Sequence, residues 1–232
     1  AKGEKEPMTT WDINMGALLK VVKASLNTSV QTIFWPSSIA VFSKHSGLAC
    51  VKNDVTMFPN TMYGITKLAG EKIMSYYNEK GLMDIRSIRY PGVVSSTEPG
   101  GGTTDYVVEM LQSAKENKPY TCPLRKDTVL PMIHIKDVVT ATLELMGVEK
   151  EKISTSGAYN LGSFETSPEK WSNTINSLGY SLKTTYKEDF RQKIADSWPK
   201  KVDDSLFRRD IAWEPIHDER ATAEDIIEQL VI

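Results

Sequence analysis

Short apolar runs alternate with longer stretches of spaced apolar positions, and through the first half of the chain they predict strand and helix in turn. Residues 9–25 are expected to form a helix, 30–35 a strand, 61–80 a helix and 84–90 a second strand, the strands carrying Ile33-Phe34-Trp35 and Ile85-Arg86-Ser87-Ile88. This order predicts an α/β fold containing the last part of a doubly wound parallel sheet. The connection over 43–60, rich in Lys, Asn and Gly and ending at Pro59-Asn60, is long enough to be a functional flap.

After Tyr90 the elements become shorter and mixed. Helices are expected over 104–116, 138–146, 169–178, 188–195, 203–210 and 222–230, with strands near 120–122, 129–135, 157–161 and 182–186. Asp137 is placed to cap the 138–146 helix, and Ser167-Pro168 is a start signal for the next one. The expected organisation is a sheet-bearing part over 1–95 and a small mixed α/β lobe over 96–232, with segments returning to the sheet. No internal repeat or low-complexity tract is visible.

Composition narrows the function classes. The 232 residues are 40% hydrophobic and 25% charged, which suits one large domain or one and a half smaller ones. A net charge of −2 gives no basic footprint for nucleic acid, and Lys200-Lys201 and Arg208-Arg209 are answered by nearby acids. No apolar run approaches a membrane span, and the compartment, cytoplasmic or mitochondrial, stays open. Cys50 and Cys122 read as reduced thiols, and His45, His134 and His217 have no metal-ligand spacing, so no metal is expected; His134 reads as a satisfied strand residue.

The candidate chemistry lies in Ser38 and in Tyr63-Gly64-Ile65-Thr66-Lys67. On a helix, Tyr63 and Lys67 share a face, so an ammonium beside the phenol is expected to favour the phenolate and make Tyr63 a base. Ser38, twenty-five positions upstream, closes a strand and can meet Tyr63 over one pocket at the carboxyl edge of the sheet. For Ser38 alone, capping a turn would be the simpler role. Thr103, Thr104 and Asp105 follow Gly100-Gly101-Gly102 and precede a helix, so helix capping and ligand contact are both open to them.

These motifs, with Trp35-Pro36-Ser37-Ser38-Ile39-Ala40-Val41-Phe42, Arg89-Tyr90-Pro91-Gly92, Pro99 to Tyr106, Leu130-Pro131-Met132 and Arg191 to Pro199, resemble the extended short-chain dehydrogenase/reductase family. The likeness runs over residues 3–213 and is closest to the short-chain type of L-threonine 3-dehydrogenase. Met15-Gly16-Ala17 departs from the Met-Asn-Gly of that branch. The family's opening strand and Gly-x-x-Gly-x-x-Gly turn for the dinucleotide pyrophosphate have no counterpart in this sequence, which leads to the expectation of a fragment or of a gene product lacking its first part.

The resemblance implies a partial Rossmann-like NAD-binding sheet over 1–95, a substrate-capping lobe, and oxidation of L-threonine to 2-amino-3-oxobutanoate. It implies catalytic roles for Ser38, Tyr63 and Lys67, NAD contacts from Tyr63, Lys67, Tyr90, Pro91, Gly92 and Val93, and substrate contacts from Ser38, Tyr63, Thr103, Thr104, Asp105 and Trp198. Trp198 would otherwise be a core aromatic of the lobe. Asn14 is expected in a structural part, bonding backbone or water. The resemblance also implies a homodimer packed through residues 9–25 and 61–80. Two other readings stand beside this one: a nucleotide-sugar epimerase or dehydratase of the same superfamily, and a non-catalytic relative serving at most as an interaction partner.

Overall fold

A computed structural model describes residues 2–230. Lys2–Lys5 form one helical turn, α1, and Pro7 opens α2 (Pro7–Leu26), since proline needs no amide partner at a first helical position. Met15, Leu18, Val22 and Ser25 recur at helical spacing and make its buried stripe. β1 (Thr32–Ser38) runs into a 3-10 turn, Ile39–Val41. Thr61 then caps α3 (Met62–Glu79), its Oγ1 accepting from the Gly64 N–H at 3.1 Å. β2 (Asp84–Tyr90) lies parallel to β1, in a register that sets Ser38 opposite Tyr90.

Pro91 interrupts the ladder, and the chain passes directly into β3 (Gly92–Val94), which belongs to a second sheet. The lobe follows with α4 (Tyr106–Lys115), β4 (Tyr120–Cys122), β5 (Leu130–His134) and α5 (Ile135–Gly147). Next come β6 (Tyr159–Asn160), β7 (Phe164–Thr166), α6 (Pro168–Ser177), β8 (Thr184–Tyr186), α7 (Phe190–Ala195), α8 (Ser205–Ile211) and α9 (Glu219–Gln229). β6 returns to pair in parallel with β2, while β3 pairs in parallel with β5 and β5 antiparallel with β7. The fold is thus mixed α/β with a Rossmann-like parallel sheet.

Three apolar clusters fix the layers. Trp35 and Ile85 pack with Met15, Leu18 and Met74 beneath α2 and α3; Ile88 and Tyr159 pack with Leu145 and Phe207 on another side. Trp171 centres the lobe with Leu111, Met132 and Ile226, its indole N–H donating to the Val107 carbonyl at 2.9 Å, so its one polar atom is satisfied.

Three expectations need correction. α5 starts at Ile135, and its cap is His134, whose Nδ1 accepts from the Lys136 N–H at 3.0 Å. Asp137 is buried inside the first turn and binds the Ile216 and His217 N–H groups, at 3.3 and 3.0 Å. The 43–60 connection is tied down and is no free flap: Val51 donates to the Lys201 carbonyl at 3.1 Å and accepts from the Asp203 N–H at 2.8 Å. Its length covers a path along the strap 200–203. Two short strands, β3 and β7, lie outside the expected elements.

His134 is fully buried and stacks on His217 with ring centroids 4.0 Å apart. Its Nε2–H donates to Asp225 at 2.9 Å, and Asp225 also binds Lys136. Burial, reinforced by His217, holds the His134 pKa below 6.5 despite Asp225 and Asp137. Burial opposes ionisation of Asp225, but Lys136 and His134 outweigh it and lower its pKa below 3.8. A histidine depressed in the folded state contributes stability above its unfolded pKa and loses it as pH falls; the depressed carboxylate acts in the same direction at lower pH. Urea midpoints are therefore expected to fall between about pH 6.5 and pH 5, with the slope reduced in His134→Asn, which can still cap α5.

Candidate active site

The strand order places the carboxyl ends of β1 and β2 side by side, the position where open α/β sheets bind ligands. Ser38 is the last residue of β1 and half-buried, its Oγ accepting from the Ala40 N–H at 3.2 Å. It therefore does cap the following turn. Ser38 and Tyr63, the second residue of α3, line the same cavity. Thr66 Oγ1 donates to the Tyr63 carbonyl at 2.8 Å and accepts from Asn14 Nδ2 at 2.9 Å, so α2 steadies the turn that carries Tyr63. Asn14 thus bonds a side chain of the neighbouring helix, where backbone or water was expected.

Lys67 departs from the simplest expectation. Its Nζ lies 5.4 Å from the Tyr63 ring centroid, but it donates to the Pro36 carbonyl at 2.7 Å and sits 4.6 Å from the centre of the Trp35 ring. Burial lowers the Lys67 pKa from 10.5. Burial also pushes the Tyr63 pKa above 10.0, with the Ser38 hydrogen bond pulling it back in part. The ammonium is held by backbone and indole, and the hydroxyl partner is the group that favours the phenolate here.

Ser38 and Tyr63 open on a cavity of about 330 Å³ whose other walls include Pro91, Gly92, Gly100, Gly101, Gly102, Thr103, Thr104 and Trp198. Gly92 has no room for a side chain: a Cβ there would lie 2.3 Å from Met132 Sδ and 2.9 Å from Thr104 Cγ2. The loop bearing Thr103 and Thr104 therefore packs directly on the strand crossing. Trp198 lines the cavity, and its Nε1 is buried with no hydrogen-bond partner among the described residues.

Four of the expected residues, Lys67, Tyr90, Val93 and Asp105, do not line this cavity. Asp105 turns its Oδ2 back onto the Gly101 and Gly102 N–H groups, at 2.8 and 2.7 Å, and so shapes the glycine loop from outside. Tyr90 bonds Thr142 on α5 and packs against Phe34, because strand alternation sends it to the face away from α3. Val93 packs into the cluster around Ile88 and Ile133. The structure adds Ile39, Thr61, Ile194 and Glu4 to the walls. Of these only Thr61, recognisable as a helix cap, had a local signal; Glu4 reaches the site by accepting from the Met62 N–H at 2.7 Å.

Fold and site together define a Rossmann-like α/β protein with a Ser, Tyr and Lys group at the carboxyl edge of its parallel sheet. Residues 1–162 match the NAD dependent epimerase/dehydratase family. An uncharacterised epimerase/dehydratase of Staphylococcus haemolyticus is 36% identical over 220 residues, which span 94% of this chain and 69% of that protein. The holo form of a GalE-like L-threonine dehydrogenase from Cupriavidus necator superposes with a TM-score of 0.96 at 38% identity, covering 98% of this chain and 74% of that one. L-threonine dehydrogenase from Phytophthora infestans gives a TM-score of 0.94 at 36% identity, with the same coverage of 98% and 74%. The chain belongs to the NAD dependent epimerase/dehydratase family, and NAD is its family's cofactor.

The residues present suit the nicotinamide end of NAD. Lys67 uses a donor on Pro36 and has others for ribose hydroxyls, and Pro91 and Gly92 offer a wall with little side-chain bulk beside Tyr63. Among the described residues no cluster of His, Cys, Asp or Glu has the arrangement of a metal site, and no helix is long and apolar enough to cross a membrane.

Proposed function

We propose that the protein acts in the NAD-dependent oxidation of L-threonine to 2-amino-3-oxobutanoate. The observation that carries this reading is that Ser38 and Tyr63 line one cavity with Thr103, Thr104 and Trp198. The names of the solved neighbours support it. NAD, when bound, supplies a hydride acceptor. Tyr63 takes the proton of the substrate hydroxyl, and Ser38 holds that oxygen as it becomes a carbonyl. Lys67, held on the Pro36 carbonyl, binds the ribose. The Thr103 and Thr104 hydroxyls contact the polar groups of the substrate, and Trp198 walls the cavity beside them.

We further infer a homodimer packed through α2 and α3, whose outward Met8, Leu19, Leu26 and Tyr76 are exposed. One experiment tests the assembly and the activity together. The purified protein is sedimented, then incubated with NAD and L-threonine while NADH absorbance is followed, and in parallel with NAD and UDP-glucose while the nucleotide sugar is separated by chromatography. The reading expects a species of twice the chain mass and NADH formation with L-threonine. Conversion of the nucleotide sugar alone would replace it with the epimerase reading, and neither activity would leave the non-catalytic relative.

A further inference from the structure

Behind the reacting groups lies a buried polar network that the proposed chemistry does not use. Glu71 and Arg89 are 2% and 3% exposed, and the guanidinium meets the carboxylate at 3.0 and 3.2 Å from Nε and 2.9 Å from Nη2. Ser37, also buried, donates to Glu71 Oε1 at 2.5 Å. The remaining guanidinium nitrogen, Nη1, donates to the Asn53 carbonyl at 2.8 Å and to Asn160 Oδ1 at 3.1 Å. Asn160 Nδ2 in turn donates to the carbonyls of Val51 and Asp203, at 3.2 and 3.3 Å.

An ion pair removed from water adds little net stability over a well-packed apolar substitute, so its presence calls for a structural reason. Position supplies one. Tyr63, Lys67 and Glu71 stand four residues apart along one face of α3, and Pro36, Ser37 and Ser38 are consecutive on β1. Lys67 holds the Pro36 carbonyl, Glu71 holds the Ser37 hydroxyl, and Tyr63 and Ser38 line one cavity. The middle contact is the buried one, and Arg89 fixes it from β2. Through Asn53, Asn160 and the Val51–Val202 bridge, the same guanidinium is joined to the strap that follows Trp198.

We infer that Ser37, Glu71 and Arg89 are positioning residues that set the register of α3 against β1 and so place Tyr63 and Ser38 on one cavity wall. This inference rests on the dehydrogenase reading for its kinetic test only. Ser37→Ala removes the contact between strand and helix but leaves the Glu71–Arg89 pair intact, so the fold has every charge still paired. In that variant kcat is expected to fall about tenfold, with KM for L-threonine changed less than about twofold, because small displacements of reacting groups act on the chemical step. Ser37→Thr, which keeps the hydroxyl, should recover most of the loss.

The second measurement needs no activity. With tyrosines labelled at 13Cζ and the Tyr63 resonance identified by its absence in Tyr63→Phe, the Ser37→Ala variant should shift that resonance at neutral pH, and Ser37→Thr should restore it. A lowered melting temperature with the Tyr63 resonance unmoved would overturn the positioning role and leave Ser37 as a packing residue. If wild-type protein forms no NADH from L-threonine while the resonance still shifts, the function reading fails and the positioning role stands.

Discussion

Tyr63→Phe is expected to lower kcat for L-threonine oxidation by about a thousandfold while changing KM little. The substitution keeps the ring that packs beside Lys67 and removes only the phenolic oxygen, the group assigned to take the hydroxyl proton. Thermal unfolding should be nearly unchanged, since Tyr63 is 42% exposed. The pH profile separates this role from a binding role. Burial raises the phenol pKa, so the wild-type rate should climb with pH on the alkaline side as the phenolate form becomes accessible. That rise should be missing in Tyr63→Phe. Equal pH profiles, or a variant within tenfold of wild type, would remove Tyr63 from the proton transfer.

The second large effect is expected one residue further on. Gly64→Ala should destabilise the protein by about 3 kcal/mol, because overpacking forces backbone to move and little flexible material lies nearby. A Cβ on Gly64 would meet the Ala40 carbonyl oxygen at 2.1 Å, Pro59 Cβ at 2.9 Å and the Ala40 carbonyl carbon at 3.0 Å. This is the closest approach of α3 to the turn after Ser38, so relief of the clash also separates Tyr63 from Ser38. Gly16→Ala is the internal control: nothing lies within 4 Å of its Cβ, and removing a glycine from the middle of α2 should add about 0.5–1 kcal/mol. Urea denaturation of the three proteins reads both signs. A Gly64→Ala protein as stable as wild type would show that α3 can slide on β1 freely.

What the sequence disclosed followed the range of each signal. The second strand, expected over 84–90, has those bounds, and the helix expected over 61–80 starts where Thr61 caps it, because alternation and capping are local chemistry. The meeting of Ser38, Tyr63, Pro91 and Gly92 on one cavity was readable from their order along strand, helix and strand. Side-chain direction was not. Tyr90 and Asp105 sit beside wall residues in sequence, yet Tyr90 falls on the opposite pleat and Asp105 turns back to its own loop. The partners of Lys67 depended on Pro36 and Trp35, residues brought close only by packing of α3 onto β1. His134 capped α5 although Asp137 was the better cap by type, because Asp137 was drawn to the backbone at 216–217, far along the chain.

The strand that crosses from one sheet to the other at Pro91 has hydrogen-bonded ladders on both sides of the crossing. The floor of the cavity is consequently one continuous, doubly anchored piece of backbone. The groups assigned to the reaction stand on β1 and α3, whereas those assigned to recognition stand on the segments 100–104 and 194–198. Changes in substrate preference can accumulate in the second set without disturbing the first. A designer seeking a different amino alcohol would randomise those two segments and leave the floor alone.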